Sequence, residues 1–170
     1  MRYASIRSMD ISNGSGIGVS LFVQGCPFHC YNCFNPQTWD FDGGKEWTVE
    51  IEAKFFDMIE KSTHAQRVTI IGGEPLCDGN VDCVYMIVSR IKSKFPNKKI
   101  WLYTGYTWEY IKETESKLDV VSLCNIVVDG KYIDSLRDIT LPFRGSSNQR
   151  LIDVQATLNN PNGEIVLWEP

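Results

Sequence analysis

"GVSLFVQGCPFHCYNC", residues 18–33, runs from an apolar stretch straight into a loop that carries Cys26, Cys30 and Cys33. A short apolar run bounded by glycines predicts a strand over 18–24, and a strand apolar on both faces belongs in a parallel sheet covered by helices. Further strands are predicted over 67–72, 99–105, 123–130 and 150–155, with "EIVLWE" (164–169) closing the chain. Between the first two lies "TVEIEAKFFDMIEKS" (48–62), where Ile51, Phe55, Met58 and Ile59 share one helical face behind a Thr48 cap. A second helix is predicted over 80–95, with Val81, Val84, Tyr85, Val88, Ile91 and Phe95 at helical spacing before Pro96 and Asn97. A shorter helix is predicted after Thr107. The pattern is α/β, with about five to six mostly parallel strands in a single domain over 1–170, and it fits either a doubly wound sheet or an incomplete barrel. Both place chemistry at the carboxyl ends of the strands, where the cysteine loop and "GGEP" (72–75) fall.

The composition narrows the function. At 170 residues and 43% hydrophobic, the chain suffices for one well-filled core. Its start, "MRYASIRSMDISNGSG", is polar, and "IGVSLFV" is too short to span a bilayer, so the expectation is a soluble, cytoplasmic protein. Six cysteines in a reducing compartment point to metal or redox chemistry rather than a disulfide framework. The net charge of -4 is spread without a basic stripe, which argues against direct nucleic-acid binding.

Three thiolates from one loop can hold three irons of a 4Fe-4S cluster and leave the fourth iron open. A structural zinc would need a fourth ligand from elsewhere, such as His64, Cys77, Cys83 or Cys124. The spacing alone fits either. In "IIGGEPL" (70–76), Gly72 and Gly73 would let backbone approach a small ligand, Pro75 would stiffen the turn, and Glu74 adds a carboxylate; the same residues also fit an ordinary strand-to-helix turn.

Taken together, the Cys-x3-Cys-x2-Cys loop after the first strand and Gly-Gly-Glu-Pro at the end of the next resemble the radical S-adenosylmethionine (AdoMet) enzymes. The resemblance implies an incomplete (βα) barrel of the radical AdoMet type. It also implies a 4Fe-4S cluster on Cys26, Cys30 and Cys33, AdoMet chelating the open iron, and Gly72, Gly73, Glu74 and Pro75 beside its methionine amino group. Over nearly the whole chain, "SNGSGIGVSLFVQGCPFHCYNCFNPQTWDF", "GGEPL", "VVDGKY" and "FRGSSNQRLIDV" are similar to the small glycyl-radical activating enzymes that serve anaerobic ribonucleotide reductase. That implies reductive cleavage of AdoMet, abstraction of a hydrogen from one glycine of the reductase, and a reducing donor such as flavodoxin. One departure is Asn32 ahead of the third cysteine, where the superfamily often has an aromatic residue. The resemblance therefore leaves adenine-side packing to Asn32 with Phe34 or Tyr31.

Thr104 and Asp129 end strands on the expected active face and are candidates for contacts to the ribose or the methionine group, or for turn and cap roles. Lys131 is a candidate for neutralising a carboxylate or a solvated lysine. Arg144, Ser146, Ser147, Asn148 and Gln149 form a polar loop that would bind AdoMet or the partner's glycine loop, or turn at the surface. "GSGIG" (14–18) precedes a strand where a dinucleotide fingerprint must follow one, so its glycines are read as shaping the lead-in to that strand. Cys77, Cys83 and Cys124 are read as small buried hydrophobes, and Trp39 as a neighbour of the cysteine loop. Activation of another glycyl-radical enzyme and a non-catalytic zinc module are the alternative functions.

Overall fold

The structure, a computed structural model, describes residues 1–169. One open sheet carries strands β1 (Arg2–Asp10), β2 (Gly18–Val23), β3 (Lys45–Glu46), β4 (Arg67–Gly72), β5 (Lys99–Tyr103), β6 (Ile126–Asp129) and β7 (Arg150–Asp153), in the order β3-β1-β2-β4-β5-β6-β7. Its centre, β2-β4-β5-β6, is parallel, and β3, β1 and β7 join antiparallel at the two sides. The helices are α1 (Val49–Lys61), α2 (Val81–Lys94), α3 (Trp108–Lys112), α4 (Glu115–Ser122) and α5 (Val154–Leu158). Among the described residues, no helix is long and apolar enough to cross a membrane.

Successive parallel strands step in one direction, so right-handed crossovers put their helices on one face. The main core forms there: Val19, Leu21 and Val23 of β2, Val68 and Ile70 of β4 and Leu102 of β5 meet Phe55 and Ile59 of α1 and Val84, Val88 and Ile91 of α2. The helix starts follow the sequence: Thr48 Oγ1 accepts the Ile51 N–H at 3.4 Å, and the Asp153 carboxylate accepts that of Ala156 at 2.9 Å. The opposite face has only a small apolar cluster of Trp101, Ile126, Val128 and Leu151. It also carries the buried polar side chains Ser20, Arg67 and Thr69, which share it along β2 and β4 with Phe22 and Ile71.

Several expectations change. The sheet has seven strands rather than about five to six. Two strands are added, the two-residue β3 and β1, and β1 gives no strand signal because main-chain pairing with β2 holds it and only Tyr3 and Asp10 are buried along it. Residues 164–169 form no strand; they run beside β7 with one bridge, Ile152 to Leu167, because β7 gives way to α5 after four residues. On α2 the buried face uses Ile87, while Tyr85 is exposed.

Arg67 is fully buried beneath the polar face. Its Nη1 donates to Thr69 Oγ1 at 2.6 Å, and its Nη2 to the Asp10 carbonyl at 2.8 Å and to Asp10 Oδ1 at 3.5 Å. Burial alone would raise the Asp10 carboxyl, but the Asn13 side chain and the amides of Ser12 and Asn13 donate to it and hold it at about 2. The loop after β1 is thereby folded back over the sheet, and Gly14, at φ 124°, packs where a Cβ would meet the Trp101 ring at 2.8 Å. Arg67→Met strands the buried Asp10 charge and should cost about 3–5 kcal/mol, read as a lower urea midpoint with unchanged slope. Adding Asp10→Asn should recover part of that loss.

Candidate functional site

The ends of β2 and β4 lie level, with Val23 opposite Gly72. The turn after β4 then seats directly on the chain leading to Cys26: the Gly73 N–H donates to the Val23 carbonyl at 2.9 Å and that of Glu74 to the Gly25 carbonyl at 2.8 Å. A Cβ on Gly73 would lie 2.4 Å from the Gly25 oxygen, and Gly72 has φ 112° with its Cβ direction 2.8 Å from the Val23 oxygen. The close approach that the two glycines permit is therefore to the protein's own cysteine loop. On the other side, the Gly25 N–H donates to the Thr38 carbonyl at 2.8 Å and the Cys26 N–H to that of Trp39 at 3.0 Å. Asn80 Nδ2 donates to the carbonyls of Gln24 and Glu74 at 2.9 and 3.0 Å, tying both loops to the start of α2.

Within the cysteine loop, His29 and Asn32 take φ 46° and 54°, left-handed positions that wind it tightly. Asparagine tolerates this conformation better than a bulky residue, which accounts for its place before the third cysteine. Cys26, Cys30 and Cys33 are free thiols that line one cavity of about 450 Å³, the size of a cofactor pocket. Burial pushes the Cys26 thiol up to about 11, with the Glu74 charge adding to it and the Phe28 and His29 amides opposing. Cys30 is also raised by burial and by Cys33, against the Lys131 charge and the Tyr132 amide. Any metal taken up by these thiols would therefore have to displace their protons, which would couple its binding to pH.

Among the described residues, the cavity lining has no fourth cysteine and no histidine. Nor do any three His, Cys, Asp or Glu side chains there converge as a single ion requires. A closed zinc tetrahedron needs that convergence, whereas cluster thiolates each take a different iron. Cys77 and Cys124 are buried as read from the sequence, and Cys83 packs half-buried against the core.

Gly72, Gly73, Glu74, Thr104 and Phe34 line the cavity with the cysteines; Pro75, Asn32 and Asp129 do not. Glu74 is fully buried and its oxygens are engaged: Oε1 accepts from the Leu76 N–H at 2.9 Å and Thr104 Oγ1 at 2.8 Å, and Oε2 from the Gly105 N–H at 2.7 Å. Burial pushes its carboxyl up to about 7 although these hydrogen bonds and Lys117 pull it down. The carboxylate thus clamps the end of β4 to the end of β5. Asp129 works in a similar way. Its Oδ1 accepts Arg150 Nε at 3.0 Å, and its Oδ2 accepts the Trp108 N–H at 2.7 Å at the start of α3. Pro75 is buried behind the turn. Asn32 is exposed, and its Nδ2 donates to Asp134 Oδ2 at 3.1 Å.

Residues 131–149 form a strap over the cavity that is only partly evident from the sequence. Tyr132 packs on Phe34 at 5.1 Å between centroids, and Asp138, Ile139, Leu141 and Phe143 line the mouth. "RGSSNQ" closes the strap on itself: Gln149 Oε1 accepts the N–H groups of Gly145 and Ser146, its Nε2 donates to the Gly130 carbonyl, and Asn148 Nδ2 donates to that of Lys131. Arg144 lines the cavity, and Lys131 lies 4.4 Å from the Phe28 ring centroid. Ser12 and Asn13, on the folded-back loop, also line it, a contact with no local signal because it depends on Arg67.

The three thiols lie in one wall of a cavity at the strand ends, and residues 12–152, which span them, match the model of the family described as "4Fe-4S single cluster domain". The chain is 39% identical over 150 residues to the anaerobic ribonucleoside-triphosphate reductase-activating protein of Salmonella typhi, covering 88% of this chain and 96% of that one. Its identity to the protein of the same name is 37% for Escherichia coli K12, with the same coverage, and 38% for Enterobacteria phage T4, over 89% of this chain and 93% of that one. The chain belongs to the family of anaerobic ribonucleoside-triphosphate reductase-activating proteins.

The Glu74 clamp has a pH signature in the metal-free protein. An unfolded carboxyl loses its proton near 4.5, the folded one only near about 7, so between these values the folded state binds more protons. Stability should therefore fall as pH rises through this window, by on the order of 3 kcal/mol. Urea titrations at pH 5 and 7.5 measure it, and Glu74→Gln should flatten the difference.

Proposed function

We propose that Cys26, Cys30 and Cys33 hold a 4Fe-4S cluster with one iron left open for AdoMet, and that this protein installs a glycyl radical on an anaerobic ribonucleotide reductase. The observation that carries this reading is the cavity wall itself, with three thiols and no fourth cysteine or histidine among the described residues. When bound and reduced, the cluster supplies the electron that cleaves AdoMet into methionine and a 5'-deoxyadenosyl radical, which takes a hydrogen from the target glycine. What the chain contributes is position and exclusion of water.

The backbone of Gly72, Gly73 and Glu74 borders the cavity and is the candidate surface for the methionine amino group, with the Glu74 carboxylate keeping that turn in place. Thr104 is presented by the same clamp to the ribose or methionine end. Phe34, held by Tyr132, supplies adenine-side packing, and Asn32 supports it by tying the cysteine loop to the strap. Asp129 and Pro75 act from behind the lining, by holding the β6 and β4 turns. Arg144 and Lys131 bring positive charge to a site that receives a carboxylate.

We read residues 1–170 as one radical AdoMet domain, an incomplete (βα) barrel whose polar sheet face forms the interior. An open side admits a protein loop where a closed barrel would admit only a small molecule. The reductase is the partner in this reading because the relatives carry its name. The protein is placed in the cytoplasm, drawing its electron from a reducing donor such as flavodoxin. Cys30→Ala should abolish 5'-deoxyadenosine production after anaerobic reconstitution and reduction, while the wild type yields a carbon-centred radical signal with the reductase. A signal with pyruvate formate-lyase but none with the reductase would reverse the choice of partner.

A further inference from the structure

Trp39 stands in the cavity wall with the three cysteines, yet the roles of the other lining residues make no use of its side chain. It is bound to the cysteine loop twice. Its carbonyl accepts the Cys26 N–H at 3.0 Å, and its ring stacks on that of His29 with centroids 4.8 Å apart and 21° between the planes. Ring and loop therefore form one packed unit. The indole N–H is buried and has no acceptor among the described residues. Leaving such a donor unpaired costs about 1–3 kcal/mol, and buried donors in native structures nearly always have a partner. Ser20, Gln24, Arg67, Arg144 and Asn148 also carry a buried polar atom without a partner, but only Trp39 combines an orphan donor with attachment to the cysteine loop.

We infer that the Trp39 indole N–H donates a hydrogen bond to a sulfur of the iron-sulfur cluster and raises the cluster's reduction potential. The inference rests on the proposed function, since it takes the cavity to hold that cluster. Hydrogen bonds to cluster sulfurs are one of the levers that set the potential. Reduction adds negative charge to the sulfurs, so a fixed donor stabilises the reduced form more than the oxidised form. Such a donor eases the electron transfer on which AdoMet cleavage depends. Trp39 is in this sense a tuning residue.

The test uses the full chain, labelled with 15N at the tryptophan indole, reconstituted without oxygen and reduced. Among the described residues no other tryptophan lines the cavity, so pulsed paramagnetic resonance should show one weak indole 15N coupling and a proton coupling that disappears in D2O. Trp39→Phe keeps an aromatic ring against His29 and should load the same iron. It should lose both couplings and shift the midpoint to more negative potential, so that at the wild-type midpoint clearly less than half of its cluster is reduced. A loaded wild-type cluster without indole coupling, or a loaded Trp39→Phe cluster with an unchanged midpoint, overturns the inference. Should the variant fail to load, the labelled wild type decides by itself. If the wild type does not take up about four irons per chain, the proposed function itself fails, a result distinct from either of those.

Discussion

Gly73 approaches the Gly25 carbonyl so closely that a methyl group would lie 2.4 Å from it, and this contact sets the height of the β4 turn against the cysteine loop. The Glu74 N–H bond to Gly25 closes the junction, and the Glu74 side chain then reaches across to Thr104 and Gly105. Three strand ends are thereby locked together through one short turn. A side chain at position 73 would push the turn away from the chain leading to Cys26. The same seating explains why a fully buried carboxyl is tolerated: three donors meet it in a region without bulk water.

The site is assembled from both ends of the sheet. At the carboxyl ends, the cysteine loop and the Gly72–Glu74 turn form the wall. From the opposite end, the loop after β1 is pulled over the polar face by Arg67 and Asp10, bringing Ser12 and Asn13 to the same cavity. The strap over 131–149 completes it from above. The chain devotes one sheet face to a core shared with its helices and gives the other a mixed lining, with Ser20, Arg67 and Thr69 buried beside a smaller apolar cluster, a division that leaves the cavity of about 450 Å³ open at the strand ends.

The helices were largely legible because their signals are local: the Thr48 cap, the spacing of Phe55 and Ile59, and the stop before Pro96. The central strands were legible as short, mainly apolar runs, because nearly every position in them is buried, as in "GVSLFV" and "RVTIIG", where Ser20, Arg67 and Thr69 are the polar exceptions. β1 escaped because an antiparallel strand held by main-chain bonds can keep polar side chains, and residues 164–169 misled because they meet β7 only over a single bridge, too short a pairing to make a strand. For the site, the three cysteines and the glycine pair could be found in the sequence, but the glycines' contact could not. Glu74 and Asp129 read as ligand candidates; the Glu74 carboxylate accepts from the β4 and β5 turns, and that of Asp129 from the Trp108 N–H and the Arg150 guanidinium.

By itself the sequence determined the donor chemistry on offer: three soft thiols spaced along one short loop. Spacing along a loop is local and survives in one dimension. Only the tertiary structure decided which groups stand opposite those donors, because Thr104, the strap and, through the Arg67 anchor, Ser12 and Asn13 reach the cavity from distant parts of the chain. Their places depend on strand order and on which buried polar groups find partners, and both are properties of the packed molecule.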